Sequence, residues 1–436
     1  MRDKYKVQYD AKVGEGAYGE VYKAVTKSKP SRAVVVKTIR PEKANPIKLK
    51  SEISMLELLA GGPNIVELLD TVQDSRTNTQ MLVFELVSGG YYKETYVSMD
   101  EEGMLVYMYK LLQALEYTHS HGVIHRDIKG GNVLFELPSY KLRLIDWGFA
   151  TFHSPKKAHH DFPGTRYYKA PEMFLRLKSY DYAVDMWSLG CVLGMILFQR
   201  NHLIKAKHNT DEAQMIAIGK WLGTSDYQAF LDTYTPPMAS YFPASLLKSS
   251  SNVPSRRRPF TKLAHFSNAH LAQNTDAIDL LNQLLQYEFQ DRPTASQALK
   301  HKVFDPIREN PKLLSPDPPR PTPIVHKRKK GKKHPAYLHD IYTVTFPSLS
   351  SSNSSSDSDD DATDTATDAS ASEEATEATE ATEATDATDA TDATDATDAT
   401  DATDATDATD TEFTDATDTA VTEATTNSST FSSTSR

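Results

Sequence analysis

A group of acidic, basic and amide side chains lies near the middle of the chain. Asp127, Lys129 and Asn132 fall within six residues, and Asp146 follows Asn132 by fourteen. Phosphoryl transfer needs a base for the accepting hydroxyl, oxygen ligands for a metal ion and cations over the phosphates. We predict that Asp127 is the catalytic base and that Lys129 contacts the transferred phosphoryl oxygens. Asn132 and Asp146 carry the hard oxygen ligands that Mg2+ prefers, so we expect them to bind this metal.

A glycine-rich run near the N-terminus has the pattern Gly-x-Gly-x-x-Gly-x-Val and lies between two strand-like segments. Glycines let the backbone approach phosphate oxygens closely and offer N–H donors to them. A glycine-bearing hairpin without a ligand is the alternative. A dinucleotide-binding turn is disfavoured, because residues 21–25 continue as a strand where that motif needs a helix. The residues of this run that we expect at a nucleotide are Gly14, Glu15, Gly16, Ala17, Tyr18, Gly19 and Val21.

Lys37 follows three valines in a strand-like segment. In a central strand its ammonium group would be buried and would need an anion nearby. Phosphate oxygens would supply that anion, and so would Glu52 on the following helix, although Glu57 lies on the same helix. A solvated lysine at the end of a strand is the other interpretation. We predict that Lys37 is a catalytic residue that also binds the nucleotide, with Glu52 beside it.

The segments around these residues predict a bilobal α+β fold. Residues 5–87 contain β-branched and alternating runs, which favour strands, together with one helical pattern. From about residue 100 the pattern becomes mostly helical, with Asp100 as a predicted N-cap and Gly122 as a helix terminator. Residues 185–198 are apolar on nearly all sides, as in a buried central helix. We therefore place a small β-rich N-lobe before a larger, mainly helical C-lobe at residues 88–307.

The C-terminal part of the chain has a different composition. Residues 308–347 are rich in proline and lysine, which predicts a linker, and residues 348–436 repeat alanine, threonine and aspartate without apolar periodicity. Such a repeat cannot bury a core, so we expect a disordered acidic tail. Residues 346–436 carry 24 acidic side chains and one arginine, a charge of −23, whereas the preceding residues carry +12. A basic body of this kind suits anionic ligands.

Several features indicate an intracellular protein of the nucleus and cytoplasm. Cys191 is the single cysteine, which excludes an intrachain disulfide and favours a reducing compartment. The N-terminus is charged, and no run of about 18 apolar residues is present, so we expect neither a secretion signal nor a membrane span. The basic cluster at residues 326–334 is a nuclear-import candidate, with a solvated linker as the alternative. Nothing in the sequence indicates a direct nucleic-acid role.

Over residues 7–304 the chain resembles the protein kinases, and within them the catalytic alpha subunits of casein kinase II. The stretch Leu-Arg-Leu-Ile-Asp-Trp-Gly at residues 142–148 carries most of this likeness, because Trp147 replaces the phenylalanine that is usual in protein kinases. Supporting stretches are residues 59–65, 82–85, 180–191, 222–224 and 268–271.

The resemblance implies the protein-kinase fold and phosphorylation of serine and threonine with ATP, or with GTP, and Mg2+. It also implies that Val35, Glu85 and Val87 contact the nucleotide. A buried ion pair between Glu172 and Arg292 would brace the C-lobe. A pseudokinase scaffold is the non-enzyme alternative, but it would lack the lysine, the base or a metal ligand, and all of these residues are present.

The same resemblance implies protein substrates in which acidic residues follow the modified serine or threonine. Arg166 and Lys169 match two basic residues with which the family binds such acids. Phe162 stands where the family has a further arginine, and Glu15 lies in a loop that is basic in the family. We therefore expect a weakened acid preference. A kinase of the same broad group with non-acidic specificity is the alternative, and the sequence leaves open whether a regulatory beta subunit binds.

The acidic tail is a candidate substrate of its own kinase domain. Thr409 has Glu412 at its third following position, and Thr406 has Thr409 there. A phosphate on Thr409 would supply the acid for Thr406, and each phosphate adds a charge of about −1.5 to −2. Modification would thus step backwards along the repeat, helped by the tail's high effective concentration. A repeat expansion without a role is the alternative.

Overall fold

The computed structural model describes residues 4–16, 19–40, 45–74, 77, 79–90, 92–137, 139–240, 242, 253–264 and 269–314. The predictions made for Ala17, Tyr18, the basic cluster and the acidic tail lie outside these residues.

The N-lobe is built on one antiparallel sheet with the strand order β1-β2-β3-β5-β4. Its strands are β1 (Tyr5–Gly16), β2 (Gly19–Thr26), β3 (Ala33–Ile39), β4 (Leu68–Gln73) and β5 (Gln80–Glu85). Strand β3 has a neighbour on each side, and its β-branched residues Val34 and Val36 are buried in an apolar cluster with Ala24 of β2 and Val83 of β5. The predicted central strand is confirmed, and it runs two residues beyond Lys37.

The glycine-rich run forms the hairpin between β1 and β2, in which Gly16 pairs with Gly19. Gly19 packs so closely on β3 that a Cβ atom there would lie 1.7 Å from the carbonyl oxygen of Thr38. Only glycine therefore fits this position. Strand β2 continues directly to Thr26, so no helix follows the glycines, as the sequence predicts.

Helix α1 (Pro46–Leu58) packs beside the sheet and carries the predicted partner of Lys37. Its N-terminus is well specified, because the Asn45 side chain accepts hydrogen bonds from the N–H groups of Ile47 and Lys48. The helix buries Met55, Leu56 and the carboxylate-bearing Glu52.

The C-lobe is mainly helical. Its principal helices are α2 (Tyr92–Ser98), α3 (Glu101–Ser120), α4 (Pro171–Phe174), α5 (Ala183–Phe198), α6 (Asp211–Leu222) and α7 (Ser225–Tyr234). Shorter helices follow at Ala269–Ala272, Thr275–Leu284, Ala295–Ala298 and Asp305–Glu309. Single 3-10 turns lie at Gly130–Asn132, Arg166–Tyr168, Phe260–Leu263, Phe289–Asp291, Lys302–Phe304 and Pro311–Leu314.

Two of these helices test the sequence predictions directly. The Asp100 side chain caps α3 by accepting from the N–H of Gly103, and Gly122 follows the helix with a positive φ of 73°. Helix α5 begins at Ala183, two residues before the predicted Asp185, and all its residues after Ala183 are buried. Both predictions are confirmed apart from this shift.

Two short β-ribbons at the face of the C-lobe hold the loops that carry the predicted catalytic residues. Strand β6 (Val123–Ile124) pairs with β9 (Thr151–Phe152), and β7 (Val133–Glu136) pairs with β8 (Lys141–Leu144). The loop from β6 to β7 contains residues 125–132, and the loop from β8 to β9 contains residues 145–150. The strands that flank one loop are paired with the strands that flank the other. The two loops therefore lie side by side, and their side chains are close together.

A buried ion pair joins the end of β5 to the C-lobe. The Arg143 Nε atom lies 2.6 Å from the Glu85 carboxylate, and the two side chains are 1% and 2% exposed. Lys141 adds a second cation at 3.3 Å from the same carboxylate.

Among the described residues, no helix has both the length and the apolar character that crossing a membrane requires.

Candidate active site

A cavity of about 960 Å³ lies at the face of the sheet, lined by residues of both lobes. Its size is suited to a nucleotide-sized ligand. The predicted residues on the lining are Gly14, Glu15, Gly19, Val21, Val35, Lys37, Glu52, Glu85, Val87, Asn132 and Asp146.

Lys37 lies between two carboxylates at the inner end of this cavity. Its Nζ atom is 2.9 Å from Glu52 Oε1 and 3.0 Å from Asp146 Oδ1. The ambiguity between Glu52 and Glu57 is thus resolved in favour of Glu52. Burial alone would lower the pKa of Lys37, but the negative charges of Asp146 and Glu52 outweigh it and raise the pKa. Lys37 is therefore a fixed cation on the cavity wall.

Asp127 lies among donors that hold both of its carboxylate oxygens. Oδ1 accepts from the Thr165 hydroxyl at 2.8 Å and from the Thr165 N–H at 3.1 Å. Oδ2 accepts from the Asn132 amide at 2.8 Å and lies 3.1 Å from Lys129 Nζ. Lys129 also donates to the Thr165 hydroxyl at 2.9 Å. The predicted base, the predicted phosphate-contacting lysine and Thr165 thus form one connected group.

Asn132 and Asp146 meet the requirements for a divalent cation. The amide nitrogen of Asn132 donates to Asp127, which leaves its amide oxygen as the available ligand atom. The Asp146 side chain is 42% exposed on the cavity wall, and the positive charge of Lys37 holds the pKa of its carboxyl below the usual value. Within the described residues, no three His, Cys, Asp or Glu side chains form a metal site by themselves. This arrangement suits a hard divalent cation that takes further ligands from substrate phosphates and water.

The loop that carries Asp127 is anchored by the buried carboxylate of Asp185 at the start of α5. This carboxylate accepts from the N–H groups of His125 and Arg126 at 2.9 and 2.8 Å, and it contacts His119 Nε2 at 2.9 Å. Burial would raise the pKa of Asp185, but these hydrogen bonds and the nearby histidines lower it. The bonds fix Arg126 at a positive φ of 68°, immediately before the base.

Arg126 ties the same loop to the segment 149–170. Its guanidinium donates to the Phe149 carbonyl at 2.6 Å, to Asp161 at 2.8 Å and to the Tyr180 hydroxyl at 2.7 Å. His159 stacks on Tyr180 with ring centroids 4.2 Å apart. The segment that carries Thr165 is therefore braced against the catalytic loop by a buried arginine.

Glu15 and Glu85, two of the predicted nucleotide contacts, line the cavity and have carboxylates that are paired with cations. Glu15 forms ion pairs with Lys12 on the same strand and with Arg40, which directly follows β3. Glu85 lines the cavity, and its carboxylate is paired with Arg143.

The two predicted substrate-binding cations differ in their surroundings. Arg166 pairs with Asp211 at 2.9 Å and also donates to Asn209. Lys169 lies over the ring of Phe174, with Nζ 5.5 Å from the centroid. Arg166 directly follows Thr165 in the chain, so it lies next to the residue that contacts the predicted base.

Sequence reasoning missed Thr165, Asp161 and Tyr180. Thr165 contacts Asp127 from 38 positions along the chain, and Tyr180 contacts Arg126 from 54. None of the three lies in a run whose spacing suggests chemistry. The one sequence signal for Thr165 is its position directly before Arg166. A polar residue next to a basic one is too common in sequences to indicate a functional role.

The predicted ion pair of the C-lobe is confirmed. Glu172 and Arg292 are joined by two parallel hydrogen bonds of 2.6 and 2.8 Å, and both side chains are 0% exposed.

The comparison with known families agrees with this geometry. A family model described as protein kinase domain matches residues 7–304, about two thirds of the chain. A sheet-rich N-lobe, a helical C-lobe and a lysine, base and metal-ligand set around one cavity are what this family uses for phosphoryl transfer from ATP with a divalent metal. The chain belongs to the protein kinase family.

Proposed function

We propose that this protein kinase transfers the γ-phosphoryl group of ATP to serine and threonine hydroxyls in proteins. The observation that carries the proposal is the connected group around Asp127, in which Lys129, Asn132 and Thr165 are all within 3.1 Å of its carboxylate. Asp127 is positioned to accept the hydroxyl proton of the substrate. Lys129 contributes positive charge next to that carboxylate.

The residues proposed to hold the phosphates and the metal line the cavity. Lys37 is kept in place by Glu52 and presents its ammonium group to the cavity. Asn132 and Asp146 would hold Mg2+ through an amide and a carboxylate oxygen. When bound, this cation neutralises the negative charge that the phosphate oxygens carry during transfer. ATP is the proposed donor, and GTP is a second donor for which the resemblance to casein kinase II is the support.

We propose a preference for sites at which acidic residues follow the modified hydroxyl. The support is the resemblance to casein kinase II together with Arg166 and Lys169, which follow Thr165 closely. Phe162 packs against Tyr180 in place of a further cation, so the preference is weaker than a full basic cluster would give.

A peptide assay tests this function. The full chain is incubated with labelled ATP and Mg2+ and with peptides whose serine is followed by glutamate, by glutamine or by proline. Faster labelling of the glutamate peptide is expected. Equal labelling of the three peptides would contradict the acid preference and would favour the alternative, a kinase of the same broad group with another specificity. Labelling of none of them, with nucleotide still bound, would favour a pseudokinase scaffold.

The acidic tail is proposed as a substrate in cis. Its support is sequence alone: Thr409 precedes Glu412 by three positions, and the repeat offers further threonines upstream. Mass spectrometry of the purified wild type and of Asp127→Ala tests it. Phosphates on the tail in the wild type alone are expected, and equal phosphorylation of both proteins would contradict the proposal.

Residence in the nucleus as well as the cytoplasm is proposed from the basic cluster at residues 326–334. Fluorescence imaging of the chain with the lysines and the one arginine of this cluster changed to glutamine tests it. An unchanged nuclear fraction would contradict it.

A further inference from the structure

The guanidinium of Arg166 is occupied by an acid of the chain itself. Its Nε atom donates to Asp211 Oδ1 at 2.9 Å, and a second nitrogen donates to the amide oxygen of Asn209. The Arg166 side chain is 15% exposed, whereas Asp211 is 49% exposed. The pair is thus open to solvent on the side of Asp211.

Arg166 directly follows the residue that contacts the predicted base, so we expect it to lie close to the substrate residues next to the modified one. The preceding residue, Thr165, contacts Asp127 with both its hydroxyl and its N–H. A hydroxyl that reaches Asp127 places the next substrate residues only a few ångströms away, because consecutive Cα atoms are about 3.8 Å apart. An acidic side chain there would meet Arg166 and Asp211 together.

We propose that Asp211 is a specificity-determining residue that competes with acidic substrate residues for Arg166 and thereby weakens the acid preference. This inference rests on the proposed acid-directed function. Asp211 both satisfies the guanidinium and repels a second carboxylate at the same place. An incoming acid therefore gains less from Arg166 than it would gain from an arginine without this partner.

The size of the effect follows from the exposure of the pair. Solvent-exposed ion pairs contribute about 0.2–1 kcal/mol. Removal of the competing charge should therefore improve the kcat/KM for an acidic peptide by about two- to fivefold. The improvement should be in KM, because Asp211 does not contact Asp127 or Lys129 in the structure.

The chain offers a matched control. Glu212 is the next residue, is exposed, and lies in the same first turn of α6. Asp211→Asn and Glu212→Gln each remove one negative charge from this turn, and both keep the Thr210 side chain that caps the helix. They differ in contact with Arg166, so general electrostatic effects cancel in the comparison.

The test measures kcat and KM of full-length wild type, Asp211→Asn, Glu212→Gln and Arg166→Gln. The substrates are two peptides that carry glutamate or glutamine after the serine. For Asp211→Asn, we expect the glutamate-to-glutamine ratio of kcat/KM to rise about two- to fivefold, and for Glu212→Gln we expect it to stay near the wild-type ratio. Thermal unfolding of each variant verifies that it is folded.

The outcomes separate this inference from the function on which it rests. If Asp211→Asn leaves the ratio unchanged while Arg166→Gln lowers it, the acid-directed function stands and the role of Asp211 is overturned. An equal rise in Asp211→Asn and Glu212→Gln also overturns it, because the effect is then general electrostatics. If the glutamate-to-glutamine ratio of kcat/KM is near one for the wild type, for Arg166→Gln and for Asp211→Asn alike, the acid-directed function fails. This inference then fails with it.

Discussion

Thr165 connects the predicted base to the lysine beside it. Its hydroxyl accepts from Lys129 and donates to Asp127, so it fixes the direction of both side chains. A hydroxyl in this position can be replaced by a methyl group of the same shape. This makes Thr165 a residue whose contribution can be isolated from packing.

Thr165→Val is expected to lower kcat about 10- to 100-fold, because hydrogen bonds to charged groups contribute about 1.5–3 kcal/mol. Thr165→Ser keeps the hydroxyl and should retain most of the wild-type kcat. Steady-state kinetics at saturating ATP and peptide measures both. Equal kcat values for the valine and serine variants would contradict this role.

His159 makes the stability of the brace around Arg126 dependent on pH. Burial, followed by the positive charges of Arg126 and His153, lowers the pKa of His159 to about 4. Below its ordinary pKa of about 6.5, the unfolded chain takes up a proton that the folded chain refuses. The stabilisation is therefore complete above about pH 6.5 and is lost progressively as the pH falls towards about 4.

His159→Phe should remove this dependence while keeping the ring that stacks on Tyr180. Between about pH 7 and pH 5, the wild type is expected to lose about 1–2 kcal/mol more of its free energy of unfolding than the variant loses. Urea denaturation at the two pH values measures the difference. Identical losses in both proteins would contradict this role, because they would show that His159 binds its proton equally well in the folded and the unfolded chain.

At the scale of elements, short strands and one buried helix position the site. The loop of Asp127 runs between β6 and β7, and Asp185 on α5 accepts from two of its N–H groups. Helix α4 is only four residues long and is held instead by Glu172, whose carboxylate is fully buried against Arg292. Elements too short to be stable alone are thus fixed by buried charges.

Glu172→Gln keeps the shape of the side chain but leaves Arg292 buried without its counter-charge. Breaking a buried pair in this way costs about 3–5 kcal/mol. Glu309→Gln is the matched control, because Glu309 is exposed. Urea denaturation should show a large loss for Glu172→Gln and none for Glu309→Gln. A loss below about 1 kcal/mol at Glu172 would contradict the assigned role.

The sequence predicted elements and motif residues better than it predicted contacts. Lys37, Asp127, Asn132 and Asp146 were found because their spacing is tied to strands and loops of fixed length. The Arg166–Asp211 pair was not found, because it joins a 3-10 turn to a helix start 45 residues later. Hydrophobic periodicity predicts faces, but it does not predict which exposed charges meet.

At the scale of the whole molecule, the chain separates charge along its length. Residues 346–436 carry −23, and the preceding residues carry +12. If the proposed acid-directed function holds, acidic substrates are attracted to the basic part, and we expect the acidic part to compete with them for the same cations. Such competition between exposed charges is screened by salt, with a Debye length of about 10 Å at 0.1 M.

Removal of residues 346–436 changes the net charge from −11 to +12. The KM for an acidic peptide is therefore expected to fall several-fold at low ionic strength, and the difference from the full chain should shrink in about 0.5 M salt. Kinetics at the two salt concentrations, with a glutamine peptide as the control, measures this. An effect of equal size on both peptides would argue against charge competition.

We expect Asp127 to serve as the base of a phosphoryl transfer whose donor is held by Lys37, Asn132 and Asp146. Labelled phosphate transfer from ATP to an acidic peptide by wild type and by Asp127→Asn tests it most directly. In Asp127→Asn, kcat is expected to fall about 10²- to 10⁴-fold, while the KM for ATP and the unfolding temperature stay close to those of the wild type. An Asp127→Asn protein that transfers phosphate at nearly the wild-type rate would contradict it.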